Sequence, residues 1–98
     1  MRTLLQVTVP VEKGNSAIAD GTLPDAIKTF MDAAQPEAAY FFASQAGQRS
    51  ALFVFDLKDT SDIPPLSEPF FSALNASIVM VPCMNLDDLQ KALSGMAS

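Results

Sequence analysis

The start of the chain alternates between apolar and polar residues, which is the pattern of a β-strand with two different faces. The alternating positions are Leu5, Val7 and Val9 on one face and Gln6 and Thr8 on the other. Pro10 follows this run, and because proline has no backbone N–H for a strand ladder, we expect the strand to end there.

The next apolar positions recur with the spacing of an α-helix. Over about residues 24–34, one side carries Ile27, Phe30, Met31 and Ala34, and the opposite side carries Asp25, Lys28 and Asp32. This spacing predicts an amphipathic helix that stops before Pro36. We expect a shorter helical piece before it, with Asn15 or Ser16 as its N-cap.

The segment AAYFFASQAGQRSALFVFDL, residues 38–57, predicts a β-hairpin, because two runs rich in aromatic residues flank a loop that contains glycine. A four-residue turn at residues 45–48 would pair Ser44 with Arg49. That register gives one face Ala39, Phe41, Ala43, Leu52 and Val54, and the other face Tyr40, Phe42, Ser44, Arg49, Phe53 and Phe55. A bulged turn would shift the register by one residue.

The second half of the chain predicts a helix followed by a strand. Asp62 is expected to cap a helix that begins at Ile63. Pro69 is expected to kink or break this helix, because proline lacks the N–H of the helical hydrogen bond. Asn75 should close the helix, and an apolar strand should follow over about residues 76–84.

The last predicted helix has the clearest signals. Asn85 and Asp88 have the spacing of a reciprocal N-terminal cap, and Gly95 predicts the end of the helix. Its apolar stripe consists of Leu86, Leu89 and Leu93.

This order of elements predicts an α+β ferredoxin-like sandwich, in one domain over residues 1–98. We expect an antiparallel-dominated four-stranded sheet of order 4-1-3-2, an extra C-terminal helix, and the main helices on one face, because crossovers are right-handed. The other face would carry Tyr40, Phe42, Phe53 and Phe55. Soluble monomers rarely expose such an aromatic face, so we expect a homodimer in which a second sheet covers it.

Two short segments carry a resemblance to a known superfamily. They are PEAAYF at residues 36–41, and IPPLSEPFF at residues 63–71 followed by NAS at residues 75–77. Together with the order of elements, they resemble small uncharacterised bacterial proteins of the dimeric α/β-barrel superfamily. The resemblance implies two ferredoxin-like protomers packed sheet against sheet. That superfamily includes cofactor-free monooxygenases, lactone isomerases and haem enzymes, so the fold does not select a function.

Composition and charge narrow the range of partners. The chain has 98 residues, of which 49% are hydrophobic and 17% charged, and its net charge is −5. Its six basic residues are scattered, so we expect no nucleic-acid partner. Apolar runs fall short of the roughly 18 residues of a membrane span, so we expect no membrane. Cys83 is the only cysteine, which excludes an intrachain disulfide and favours a cytoplasmic location.

The chain contains no histidine. This removes the commonest general base near neutral pH and the commonest imidazole ligand, so we expect no metal site, no haem and no other cofactor. A general base would have to be one of four carboxylates, Glu12, Glu37, Asp56 or Glu68. Asp87 and Asp88 are explained by the helix dipole, and Cys83 by its apolar strand.

If a ligand site exists, the predicted register places it on the aromatic face. Gln6, Thr8 and Tyr40 would be the polar contacts, and the walls would be Phe42, Phe53 and Phe55. Gln6 and Thr8 could equally pair with their own copies across a dimer axis. The leading interpretation is a homodimer that binds a small apolar or aromatic molecule between sheet and partner. The alternatives are a cofactor-independent monooxygenase-like or isomerase-like enzyme, and a purely structural or regulatory dimer with a filled barrel.

Overall fold

The strand predicted at the start of the chain is a central strand of a four-stranded antiparallel sheet in the computed structural model, which describes residues 1–96. The last two residues of the predicted domain, 97 and 98, lie outside the described residues. The strands are β1 (Arg2–Val9), β2 (Ala38–Ala43), β3 (Arg49–Asp56) and β4 (Ser77–Pro82). The helices are α1 (Val11–Ala19), α2 (Thr22–Ala34), α3 (Ile63–Leu74) and α4 (Leu86–Met96), with a 3-10 turn (Thr60–Asp62) before α3.

The sheet order is β2-β3-β1-β4, which confirms the predicted ferredoxin-like order 4-1-3-2 read from the other edge. β1 pairs with β3 and β4, and β2 pairs with β3, all antiparallel. The extra C-terminal helix is also present as α4. One chain forms an open sheet rather than a barrel.

The core lies between the sheet and helices α1, α2 and α3. Side chains of β1 and β3 that alternate toward this side are almost fully buried. They pack with Phe30 of α2 and Phe70 of α3, and the ring centroid of Phe30 lies 4.6 Å from that of Phe53, 5.5 Å from that of Phe55 and 5.5 Å from that of Phe70. Such aromatic pairs add about 0.5–1.5 kcal/mol each beyond burial.

The predicted hairpin register is wrong by one residue. Tyr40 pairs with Leu52, and Phe41 with Ala51, whereas the four-residue turn would have paired Phe41 with Leu52. The observed loop has three residues, since Ser44 N–H donates to the Gln48 carbonyl at 2.9 Å and Gly47 takes a left-handed conformation with φ 76°. Three-residue hairpin loops commonly end in such a left-handed residue, which glycine adopts at little cost.

This shift changes which side chains share a face. Phe53 and Phe55, predicted on the uncovered face, lie under the helices with exposures of 0% and 1%. Phe41 joins them, with its ring centroid 5.9 Å from that of Phe53. Arg49 also moves to the helix side, because it lies opposite Val9. Tyr40 and Phe42 remain on the uncovered face, now beside Leu52 and Val54.

Three helix predictions need correction at their ends or interior. Helix α1 begins at Val11, directly after Pro10, so neither Asn15 nor Ser16 caps it. Asp62 precedes Ile63 as predicted, but its side chain makes no capping hydrogen bond. Helix α3 continues through Pro69. Pro69 has no N–H to donate to the carbonyl of Pro65, but Pro65 lies in the first turn and is exposed, so water can donate to that carbonyl instead.

The start of α4 follows the prediction and its end does not. Asp88 N–H donates to Asn85 Oδ1 at 2.8 Å, and Asn85 N–H donates to Asp88 Oδ2 at 3.1 Å, which is the predicted reciprocal cap. The helix continues past Gly95 to Met96. Asn75 closes α3 as predicted, in a left-handed conformation with φ 50°.

Candidate functional site

An apolar cavity of about 330 Å³ lies between the sheet and the helices, at the end of the sheet nearest the hairpin loop. Its lining residues are Val7, Val9, Leu23, Ile27, Phe41, Phe42, Arg49, Ser50, Ala51, Phe70 and Leu74. The volume is at the small end of the roughly 300–1,000 Å³ range of ligand pockets. It would hold a small molecule.

The cavity exists because a small residue interrupts a row of large ones. Ala51 lies in the same row as Val7 on one neighbouring strand and Phe41 on the other. At the next position under the helices along β3, Phe53 fills the equivalent space and is fully buried. Alanine at residue 51 therefore leaves room that Leu23 and Ile27 of α2 cover from above.

Arg49 stands at the end of β3, at the mouth of this cavity. Its Nη2 donates to Asn15 Oδ1 at 2.9 Å, and its Nη1 donates to the Val11 carbonyl at 3.4 Å. Gly14 makes this position possible, because a Cβ there would lie 2.7 Å from Nη1 of Arg49. The guanidinium is thus held over α1 by two neutral acceptors.

The predicted polar contacts lie on the opposite side of the sheet. Gln6 is flanked by Val79 and Leu52 on the neighbouring strands, and Tyr40 follows Leu52 in the same row. Thr8 is flanked by Ser50 and Ser77 in the next row. The three predicted contacts therefore share one face, but Leu52 separates Tyr40 from the other two.

The predicted aromatic walls are divided between the two sides. Phe53 and Phe55 lie in the core, and Phe42 is half-exposed and borders the cavity. The cavity residues that sequence reasoning missed are those of α2 and β3, above all Ala51. The signal available in the sequence was Ala51 itself, the one small residue of the apolar run ALFVF at residues 51–55.

The side of the sheet away from α1, α2 and α3 is called here the bare face. Its apolar members are Leu4, Tyr40, Phe42, Leu52, Val54, Val79 and Val81, and its polar members include Gln6 and Thr8. Tyr40 is 66% exposed and Val79 is 52% exposed, while the central Leu52 and Val54 are partly buried. The bare face is thus largely apolar and open to solvent within one chain.

Helix α4 presents a second uncovered apolar surface. None of its residues is buried, and its predicted stripe of Leu86, Leu89 and Leu93 is exposed. The start of the helix is tied to the sheet by Arg2, whose Nη1 lies 2.6 Å from Asp88 Oδ2 and whose Nε lies 2.6 Å from Glu37 Oε1. The hydrogen bond to Glu37, assisted by both carboxylates, raises the pKa of Arg2.

The four carboxylates considered as general bases do not border the cavity. Glu37 pairs with Arg2, and Asp56 accepts a 2.7 Å hydrogen bond from the amino group of Met1, which lowers the pKa of Asp56. Glu12 and Glu68 are exposed. Within residues 1–96, we find no cluster of three or more His, Cys, Asp or Glu side chains placed to bind a metal ion.

A second groove of about 480 Å³ lies at the other end of the sheet, between α2, the end of β3 and α3. It is larger than the apolar cavity but more polar, and Asp32, Asp56, Asp62 and Lys58 are among its lining residues. Small-molecule pockets are lined predominantly by apolar side chains, so the apolar cavity is the stronger candidate. In the part of the chain that the structure describes, no helix has the length and apolar character needed to cross a bilayer.

The fold and cavity define the chain as a ferredoxin-like α+β protein. No family model matches the chain, and no curated protein matches it by sequence. Among solved structures it is similar to a formyltetrahydrofolate deformylase from Pseudomonas putida KT2440, with a TM-score of 0.54 and 12% identity over 85% of this chain. The chain matches 29% of that enzyme's length. At this identity the likeness shows the fold alone.

Proposed function

We propose that the chain is a cytoplasmic, homodimeric binding protein that holds a small, largely apolar molecule in the cavity between its sheet and helices. The observation that carries this proposal is the cavity itself, about 330 Å³ with walls from β1, β2, β3, α2 and α3. Small-molecule sites are concave and lined mainly by apolar side chains with a few polar groups, which matches the lining of this cavity.

This position differs from the one expected from the sequence. That expectation placed the ligand between the sheet and a partner, with Gln6, Thr8 and Tyr40 as contacts, and such a site would need a second chain to close it. The cavity beside Ala51 is bounded by elements of one chain. Ligand binding and dimerisation are therefore separate properties in this proposal.

A cavity-filling variant tests ligand binding. Ile27 borders the cavity from α2, and Ile27→Trp would place a bulky ring in that space. Thr29→Trp is the matched control, because residue 29 is exposed and lies about 200° further around the same helix. Isothermal titration with 1-octanol should show binding to wild type and Thr29→Trp, and none to Ile27→Trp. Equal binding by all three, or none by wild type, contradicts the proposal.

The homodimer has its own support in the bare face and α4. Both are apolar and exposed in one chain, and at the end of the sheet Arg2 hydrogen-bonds to Glu37 and to Asp88 at the start of α4. An exposed apolar patch such as the bare face usually marks an interface. A second copy related by a twofold axis would supply the same two surfaces to the first.

Sedimentation velocity tests the dimer. Val79→Asp places a charge on the bare face at a residue that is already 52% exposed, so the chain should still fold. Gln45→Asp adds the same charge at the exposed hairpin loop and serves as the control. We expect wild type and Gln45→Asp to sediment as dimers at micromolar concentration, and Val79→Asp as a monomer. A monomeric wild type contradicts the proposal.

The enzyme alternative has weaker support, since the cavity is bordered by neither a carboxylate nor a histidine. The filled structural dimer is distinguished from the binding protein by the titration above, because a packed interior would bind no octanol.

A further inference from the structure

The geometry points to Arg49 as an anion-binding group, and we propose that the cavity selects a small molecule with an apolar tail and a carboxylate head. This inference rests on the proposed cavity-binding function and adds the chemical class of the ligand.

Arg49 is the charged member of the eleven described residues that border the cavity. The strand register places it there. Arg49 follows Phe55, Phe53 and Ala51 as the next alternate residue on the helix side of β3, and it lies opposite Val9. An apolar tail between the helices and the sheet would therefore place its head group beside the guanidinium.

The two arginines of the chain have different partners. Arg2 lies 2.6 Å from each of two carboxylates, those of Glu37 and Asp88. Arg49 donates to two neutral oxygens, and among residues 1–96 no Asp or Glu oxygen lies within 4.0 Å of it. In a chain with 11 acidic residues, the guanidinium at the cavity mouth thus keeps a positive charge without a carboxylate partner.

The contacts of Arg49 leave donors for a ligand. A guanidinium has five N–H groups in a fixed plane, and the hydrogen bonds to Val11 and Asn15 use one on Nη1 and one on Nη2. These bonds hold the group in place over Gly14, so less freedom is lost when it binds an anion. Arginine donors suit the planar, bidentate geometry of a carboxylate.

The test compares two probes with the same tail, octanoate and 1-octanol, by isothermal titration at neutral pH. We expect wild type to bind octanoate about tenfold more tightly than octanol, a modest ratio because Arg49 is exposed and its charge is screened by water. Arg49→Met should remove this preference, so that octanoate binds no more tightly than octanol. Arg49→Lys keeps the charge but loses the planar fork, so it should retain part of the preference.

The outcomes of this titration separate the role of Arg49 from the cavity-binding function. Equal binding of octanoate and octanol by wild type, or a preference that persists in Arg49→Met, overturns the role of Arg49 and leaves the cavity-binding function standing. Binding of neither probe by wild type overturns both. Thermal unfolding of each variant, followed by circular dichroism, verifies that the compared proteins are folded.

Discussion

The two faces of the sheet are built from the same strands but differ in how far their side chains are buried within one chain. Under the helices, Phe53 is fully buried and its ring packs against those of Phe30 and Phe41. One residue away on β3, Leu52 points to the bare face, where its cross-strand neighbours are the partly buried Gln6 and the exposed Tyr40. Both faces are mainly apolar, yet α1, α2 and α3 cover one of them only.

This difference in burial indicates which apolar side chains stabilise the folded chain and which would stabilise an assembly of chains. Burial of a large apolar side chain contributes roughly 1.5–3 kcal/mol. The helix face gains this within one chain, whereas the bare face and the stripe of α4 can gain it by association alone. Substitutions on the helix face should therefore change folding, and substitutions on the bare face should change assembly.

The largest expected effect is a contrast between two phenylalanines. In a Val79→Asp background, which we propose is monomeric, Phe53→Ala should lower the free energy of unfolding by about 3–5 kcal/mol, because it opens a void in the core. Phe42→Ala, on the half-exposed residue of the bare face, should cost about 1 kcal/mol. Urea denaturation measures both, and a Phe42→Ala cost equal to that of Phe53→Ala would remove the distinction between the faces.

A smaller effect is expected in α4. Leu89→Ser should change the unfolding of the monomer by less than about 0.5 kcal/mol, since none of the residues of α4 is buried in the chain. It should raise the dimer dissociation constant about tenfold, because it removes an apolar contact between copies. Sedimentation equilibrium measures this constant. Lys91→Ser, on the opposite side of the helix, is the control, and an equal effect there would exclude α4 from the interface.

The smallest effect concerns exposed carboxylates. Hydrogen bonds lower the pKa of Asp20 through Thr22, of Asp56 through the Met1 amino group, and of Asp59 through the backbone N–H of Ser61. A lowered pKa stabilises the folded chain above the unfolded value of about 3.9, and this stabilisation is lost as the pH falls through the folded value. Denaturation of the Val79→Asp variant should show slightly lower stability at about pH 3 than at about pH 5. Asp56→Asn should weaken this dependence, whereas an unchanged dependence would contradict the contribution of Asp56.

The sequence predicted the sheet order and the start of α4 because local signals agree there. Alternation in β1 and the reciprocal cap of Asn85 and Asp88 each have one interpretation. The hairpin is different, since Gln45, Ala46 and Gly47 are compatible with loops of three or four residues. Leu52 to Phe55 are all apolar, so alternation did not reveal which of them face the helices.

The cavity could not be predicted, because it depends on distances between elements that are remote in sequence. Ala51, Ile27 and Phe70 come from three elements, and only their packing leaves the space open. Pro69 is a related case. The local rule against proline in a helix was overridden, since Phe70 and Leu74 beyond it are 1% exposed in the core and hold the helix together.

Native mass spectrometry of wild type with added octanoate tests the central claim most directly, because it reports the number of chains and the bound molecule together. We predict a species with twice the mass of one chain that carries up to two octanoates, and a single-chain species for Val79→Asp that still carries one. A wild type observed as a single chain without bound octanoate would contradict the account.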